Sequence, residues 1–322
     1  MRLAILALVL ACNSGTLVAL DPPPPRDAAA IDVLAAQDFA LAADCPASVM
    51  GRPFRGARML CLAAVAMALT SSALDRPSPR IAAQLEALVE VALAADARAP
   101  FAALPASVLY RGLLGLMLAA LHHITAPAVR WTTMFDELAA ALAHDLERGW
   151  LPSYRDDTWP CDHAPAASFL RLHGTLRDSA TSTRAADALL GRLRALLPAF
   201  PTRIGDKTVR TTALAFAASY LLPADPALAR AFAEQVVRRC DRHPIAACRE
   251  WSERGHRADV ASGPLVGDYA VGATALAIIA TRALPDPDWN TALLATASLA
   301  ASPADGTLEA ALLAWGRTAR AF

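Results

Sequence analysis

Two stretches of this chain hold most of the side chains that could do chemistry. The first, GWLPSYRDDTWPCDHAP over residues 149–165, gathers Tyr154, Asp156, Asp157, Trp159, Asp162 and His163. The second, HPIAACREWSERGHRADVASGP over residues 243–264, carries Glu250, Trp251, Glu253, His256 and Asp259, with Asp268 and Tyr269 just beyond it. Carboxylates beside tyrosine and tryptophan suit a sugar or a similar small polar molecule. The aromatic face stacks on the ligand, and a carboxylate serves as acid, base or hydrogen-bond acceptor. Asp162, Asp259 and Asp268 are the candidate acids and bases. Tyr154, Trp159, His163, Trp251 and Tyr269 are the candidate ligand contacts. Each also has a plainer role. Asp162 can cap a helix starting at His163, and Asp156 and Asp157 can form a solvated turn. Asp259 or Ser262 can cap the following helix, and Asp268 can pair with an arginine.

Other chemistries find little support. No HExxH, GxSxG, Walker or GxGxxG pattern occurs, so zinc-protease, nucleophile-elbow, phosphate and dinucleotide readings are set aside, and no cofactor is expected. His122 and His123 are adjacent and point apart on a helix. Cys240, His243 and Cys248 could ligate zinc, but a fourth ligand is not evident, and no metal is expected. The chain has 30 basic and 30 acidic side chains and no basic tract, which argues against a nucleic-acid partner. Lys207 is the only lysine. Alanine, arginine and proline rise together, as codon bias in a GC-rich genome produces.

The elements that position these residues are helices. Apolar residues recur at helical spacing in Ile81, Leu85, Leu88 and Ala92, and again in Trp131, Phe135, Leu138, Leu142 and Leu146. Ser78-Pro79, Asp225-Pro226 and Asp286-Pro287 each place a capping side chain before a proline at the first helical position. The expected helices are 28–43, 55–74, 79–96, 106–124, 131–148, 162–173, 182–198, 208–221, 226–241, 265–283, 287–300 and 306–320. Short connections favour antiparallel neighbours. This pattern predicts an all-α domain over 27–322, an α/α toroid of about six helical hairpins, with an irregular helical solenoid as the alternative. The stretch LVGDYAVGATALAIIATRAL, 265–284, is apolar nearly all round, as an inner, surrounded helix would be. In that arrangement the two acidic-aromatic loops lie at one end of the barrel, and Asp259 and Asp268 at its mouth. The layout resembles α/α-toroid enzymes that act on glycans and, more distantly, on small terpenoid alcohols, as in linalool dehydratase-isomerase. That resemblance is architectural and covers most of 27–322.

The N-terminus carries a different kind of information. Arg2 followed by Leu3–Ala11 forms the charged and apolar regions of an export signal, too short to span a bilayer. Val9-Leu10-Ala11-Cys12 resembles a bacterial lipobox. The resemblance implies a signal peptide over 1–11, lipidation of Cys12, a proline-rich tether over 12–26 and membrane attachment through the acyl chains. Asn13, in place of aspartate, points to the outer membrane. Cleavage near Ala19 would instead free a periplasmic or secreted protein. Five cysteines then remain, so at least one is unpaired. Cys240 and Cys248 are close enough to pin a loop, and Cys45 and Cys61 could join neighbouring elements, although Cys61 in MLCLAAVAMAL also suits a buried free thiol.

Three functions compete. An envelope enzyme acting on a carbohydrate or other small polar substrate requires the acids and aromatics to converge in one pocket. A non-catalytic lipoprotein that binds or scaffolds a partner requires an exposed apolar patch. A carrier of a lipid or terpenoid requires a closed apolar cavity with few polar groups.

Overall fold

The computed structural model describes residues 45, 48–49, 52–54, 56–74, 78–154, 157–298 and 308–320. The expectations for the signal peptide, Cys12, the tether, the helix at 28–43 and Asp156 lie outside these residues. The described residues are mostly helical. Twelve α-helices run in chain order: α1 Ala57–Ala73, α2 Pro79–Leu93, α3 Ala95–Arg98, α4 Val108–Ile124, α5 Val129–Leu146, α6 His163–Arg177, α7 Ala180–Leu196, α8 Thr211–Leu221, α9 Pro226–Val237, α10 Val271–Ala280, α11 Asp288–Ser298 and α12 Leu308–Thr318. Three two-stranded antiparallel hairpins join them: β1 Ser48–Val49 with β2 Arg52–Pro53, β3 Cys240–Asp241 with β4 Ala247–Cys248, and β5 Leu265–Val266 with β6 Tyr269–Ala270.

The helices are of two kinds, and sequence pattern decides which is which. Helices α1, α4 and α8 are apolar nearly all round and buried on nearly every side. Helices α2, α5, α7 and α9 bury a single stripe; on α5 it is Trp131, Phe135, Ala139, Leu142, Ala143 and Leu146, the spacing of one helical face. Packing follows the same division. Helix α1 packs on α4, α4 on α6, α6 on α8, α8 on α10, α10 on α12, and α12 returns to α1. The striped helices lie against these: α2 on α1 and α4, α5 on α4 and α6, α9 on α8 and α10. Close approach needs small residues. A Cβ added to Gly115 of α4 would sit 2.2 Å from the Phe169 ring of α6, well inside contact distance.

Capping fixes several helix starts. Asp225 accepts a hydrogen bond from the Leu228 amide at 2.9 Å, and Ser179 one from the Ser182 amide at 3.3 Å. Ser78 occupies its N-cap position without making that bond.

One expected helix is corrected. Residues 265–270 form the β5–β6 hairpin, and the helix starts only at Val271. Gly267 has φ +62° in the turn, a left-handed conformation that a helix interior cannot contain. Asp268 therefore sits at a hairpin turn, outside the apolar helix.

Two disulfides are present, Cys45–Cys61 and Cys240–Cys248. The second consumes both thiolates that a zinc site with His243 would need. Cys161 is free and buried.

Candidate functional site

The first acidic-aromatic loop is held in place by its own polar groups. The Leu151 amide donates to Nε2 of His163 at 3.0 Å, which leaves the proton on Nδ1 to donate to the Trp159 carbonyl at 3.0 Å. Burial pushes the imidazole down to about 4, so this neutral tautomer persists at ordinary pH. His163 thus ties both ends of the loop to the start of α6, and both its ring nitrogens are used in doing so. The Ser107 hydroxyl, at the N-cap of α4, donates to the Ser153 carbonyl at 2.6 Å. The Ser153 hydroxyl accepts from the Trp159 amide at 3.2 Å. The turn between is closed by the Asp157 amide donating to the Tyr154 carbonyl at 2.7 Å.

This loop forms one wall of a cavity of about 520 Å³. Tyr154, Asp157, Trp159, Cys161 and Asp162 line it from one side. Asp259, Val260 and Ala261 line it from the second loop, Arg203 and Arg210 come from the stretch leading into α8, and Thr212 comes from the first turn of α8. The rest of the wall is apolar: Phe54, Leu60, Leu109, Phe216, Leu276 and Leu312. The two loops picked out for their chemistry therefore meet in one cavity, although about a hundred residues separate them.

Asp162 is the focal group. It is 7 % exposed. Its Oδ1 lies 3.7 Å from the Cys161 thiol, and its Oδ2 is buried with no hydrogen-bond partner among the described residues. Burial raises its pKa to about 7, against a downward pull from the Ser153 hydroxyl and the Cys161 thiol. It stands at the N-cap of α6 but makes no capping bond. Two other wall residues carry a buried polar atom without a hydrogen-bond partner among the described residues, Trp159 at Nε1 and Thr212 at its hydroxyl. Buried polar groups are nearly always hydrogen-bonded, so these three atoms are exceptions in this wall. Tyr220 of α8 lines the cavity too, and burial together with the charge of Asp162 pushes its phenol well up.

The cations of the wall are already matched. Arg210 donates through Nε to Glu250 at 2.6 Å and through Nη2 to Asp259 at 2.8 Å. Glu250 is wholly buried, and burial raises its pKa while Arg210 and Thr212 hold it down. Asp259 Oδ1 also accepts from the amides of Ala261 and Ser262, which folds the second loop against the mouth of the cavity. Burial works against its charge, but Arg210 and these bonds prevail and its pKa falls. Arg203 pairs with Asp157 at 3.2 Å and lies 5.2 Å from the Trp159 ring centroid.

The chain matches no protein-family model, no curated protein and no solved structure. The site is therefore described by its own residues. Of the candidate acids, Asp162 and Asp259 line the cavity and Asp268 does not; it pairs with Arg254 at 3.3 Å on the surface. Of the candidate contacts, Tyr154 and Trp159 line it. His163 is turned to the backbone, Tyr269 donates to Asp241 at 2.8 Å, and Trp251 stacks on His256 with centroids 4.6 Å apart. Arg203, Arg210, Thr212 and Tyr220 were not singled out from the sequence. For Tyr220 a signal existed: a lone phenol in the apolar run TTALAFAASYLL.

Proposed function

We propose that this chain is an exported, lipid-anchored protein whose helices form an α/α toroid, and whose cavity binds a small amphipathic organic molecule. Asp162 is the ionisable group that meets the ligand's polar end. One observation carries the binding reading: Tyr154, Trp159 and Asp162 of the first loop and Asp259 of the second converge on a single cavity whose remaining wall is largely apolar. A carboxyl group with a pKa of about 7 is poised to give or take a proton near neutrality. The aliphatic part of the wall favours a molecule with an apolar body over a sugar bearing hydroxyls on every side.

Supports for the other parts of the proposal are separate. The cycle of packing from α1 through α12 and back, with striped helices outside it, supports the toroid. Two disulfides suit an oxidising compartment and so support export. The lipobox-like Val9–Cys12 supports the anchor and an outer-membrane location, which intact mass after expression in a bacterial host would test. No helix among the described residues is long and apolar enough to cross a membrane. The second reading, a carrier that performs no chemistry, is favoured by the same apolar wall.

Calorimetric titration with 1-octanol and with glucose tests the binding reading. Octanol is expected to bind the parent and to lose about tenfold or more in affinity in Leu276→Trp, which fills the apolar wall. Glucose is expected to give no signal. Absence of octanol binding, or binding that Leu276→Trp leaves intact, would overturn the reading.

A further inference from the structure

We infer that the cavity's occupant presents its polar end as an ammonium group, seated against Asp162 and the surrounding aromatic rings. This rests on the reading of the cavity as a binding site. The first support is how the wall's charges are paired. Among the described residues the cavity lining holds two guanidinium groups, each in ion pairs: Arg203 with Asp157, and Arg210 with both Glu250 and Asp259. A carboxylate or phosphate entering this site would have to break an existing pair to find a cation. A cation meets no such cost.

The second support is the partner that Asp162 lacks. Asp162 lines the cavity at 7 % exposure, and no cation among the described residues pairs with it; only the Ser153 hydroxyl and the Cys161 thiol ease its charge there. A buried carboxylate without a cation is costly, and it relieves that cost by holding a proton or by pairing with a cation. An ammonium group at this carboxyl would supply the missing charge.

The third support is the character of the wall. Tyr154, Trp159, Phe216 and Tyr220 all line the cavity. Aromatic faces attract cations, most strongly where water is excluded. The protein already uses this wall so, with the Arg203 guanidinium 5.2 Å from the Trp159 centroid.

Binding then carries a pH dependence. An alkylammonium is protonated throughout the neutral range, since an unperturbed amine titrates near about 10. Asp162 must release its proton to pair with it, so affinity rises with pH up to about 7 and levels off above that. The buried groups nearest Asp162 lie outside this window. Burial holds the Cys161 thiol and the Tyr220 phenol up, and His163 is held down to about 4. Asp157, Arg203, Arg210 and Asp259 are ion-paired, and Tyr154 adds a phenol.

Calorimetric titration of the full chain near about pH 8 with n-octylammonium, 1-octanol and octanoate tests this. Octylammonium is expected to bind about tenfold or more tighter than octanol, with octanoate weakest, and Asp162→Asn is expected to erase the amine's advantage. Octanol or octanoate binding as tightly as the amine would overturn the ammonium inference while leaving the cavity reading standing. So would an amine preference that survives in Asp162→Asn. Failure of all three ligands to bind would overturn the cavity reading and the inference with it.

Discussion

Replacing Asp162 by asparagine is expected to stabilise the protein at about pH 8 by about 2–4 kcal/mol. Burial lifts this carboxyl from its ordinary 3.8 to about 7. Between those values the unfolded chain gives up the proton while the folded chain keeps it. Stability therefore falls as pH rises through this window and stays at its lower level above it. The span is about three pH units at about 1.4 kcal/mol each, which sets an upper bound near about 4 kcal/mol. Asparagine fits the same space and carries no charge. The advantage should shrink to little at about pH 4, where the folded parent is protonated and the unfolded chain is about half protonated. Other groups tilt the absolute profile. His163, with its pKa depressed, contributes stability present above its unfolded value and lost as pH falls towards about 4. That contribution is common to parent and variant and cancels in their difference. Urea unfolding of both proteins at the two pH values checks the expectation. A variant less stable than the parent at the higher pH would contradict it.

Arg210→Met is expected to cost about 3–5 kcal/mol. Its Nε donates to Glu250, whose side chain is 0 % exposed, at 2.6 Å. Removing the arginine leaves that carboxylate buried beside the Thr212 amide without its ion-pair partner. It also releases Asp259, and with it the 259–262 turn that closes one side of the cavity. Methionine keeps most of the apolar stem, so the loss reports the charge network more than the packing. Glu250→Gln in the same protein should restore a large part of the lost stability, because the stranded charge goes with it. Urea unfolding of the two single variants and the double variant separates these terms. Losses that simply add would show that the pair is not coupled.

The helices were legible because each carries its own period and its own boundary marks. All-round apolar segments such as 57–73 and striped ones such as 129–146 announce different depths of burial, and Asp225-Pro226 marks a start that the structure caps as expected. The two chemical loops were legible for the opposite reason: polar and aromatic residues concentrated where the period fails. What sequence could not reveal depends on partners far away in the chain. Arg210 reads as an unremarkable residue in VRTT until Glu250 and Asp259 are folded beside it. Tyr220 belongs to an apolar helix, and only the cavity on its flank makes it notable. The 265–270 segment was read as helix because an apolar run suits a buried helix or a short hairpin equally. Gly267-Asp268 between Leu-Val and Tyr-Ala was the turn signal that decides it. Moving Asp268 to that turn removed it from the site and left Asp162 as the one acid among the described wall residues without a cation.

The most direct test of Asp162's role is its own titration in the unliganded protein, followed by the carboxyl carbon resonance of labelled aspartate and assigned with Asp162→Asn. A midpoint of about 7 is expected. A midpoint near the ordinary 3.8 would show a solvated carboxylate, and would remove the buried, neutral-range acid on which the proposed reading rests.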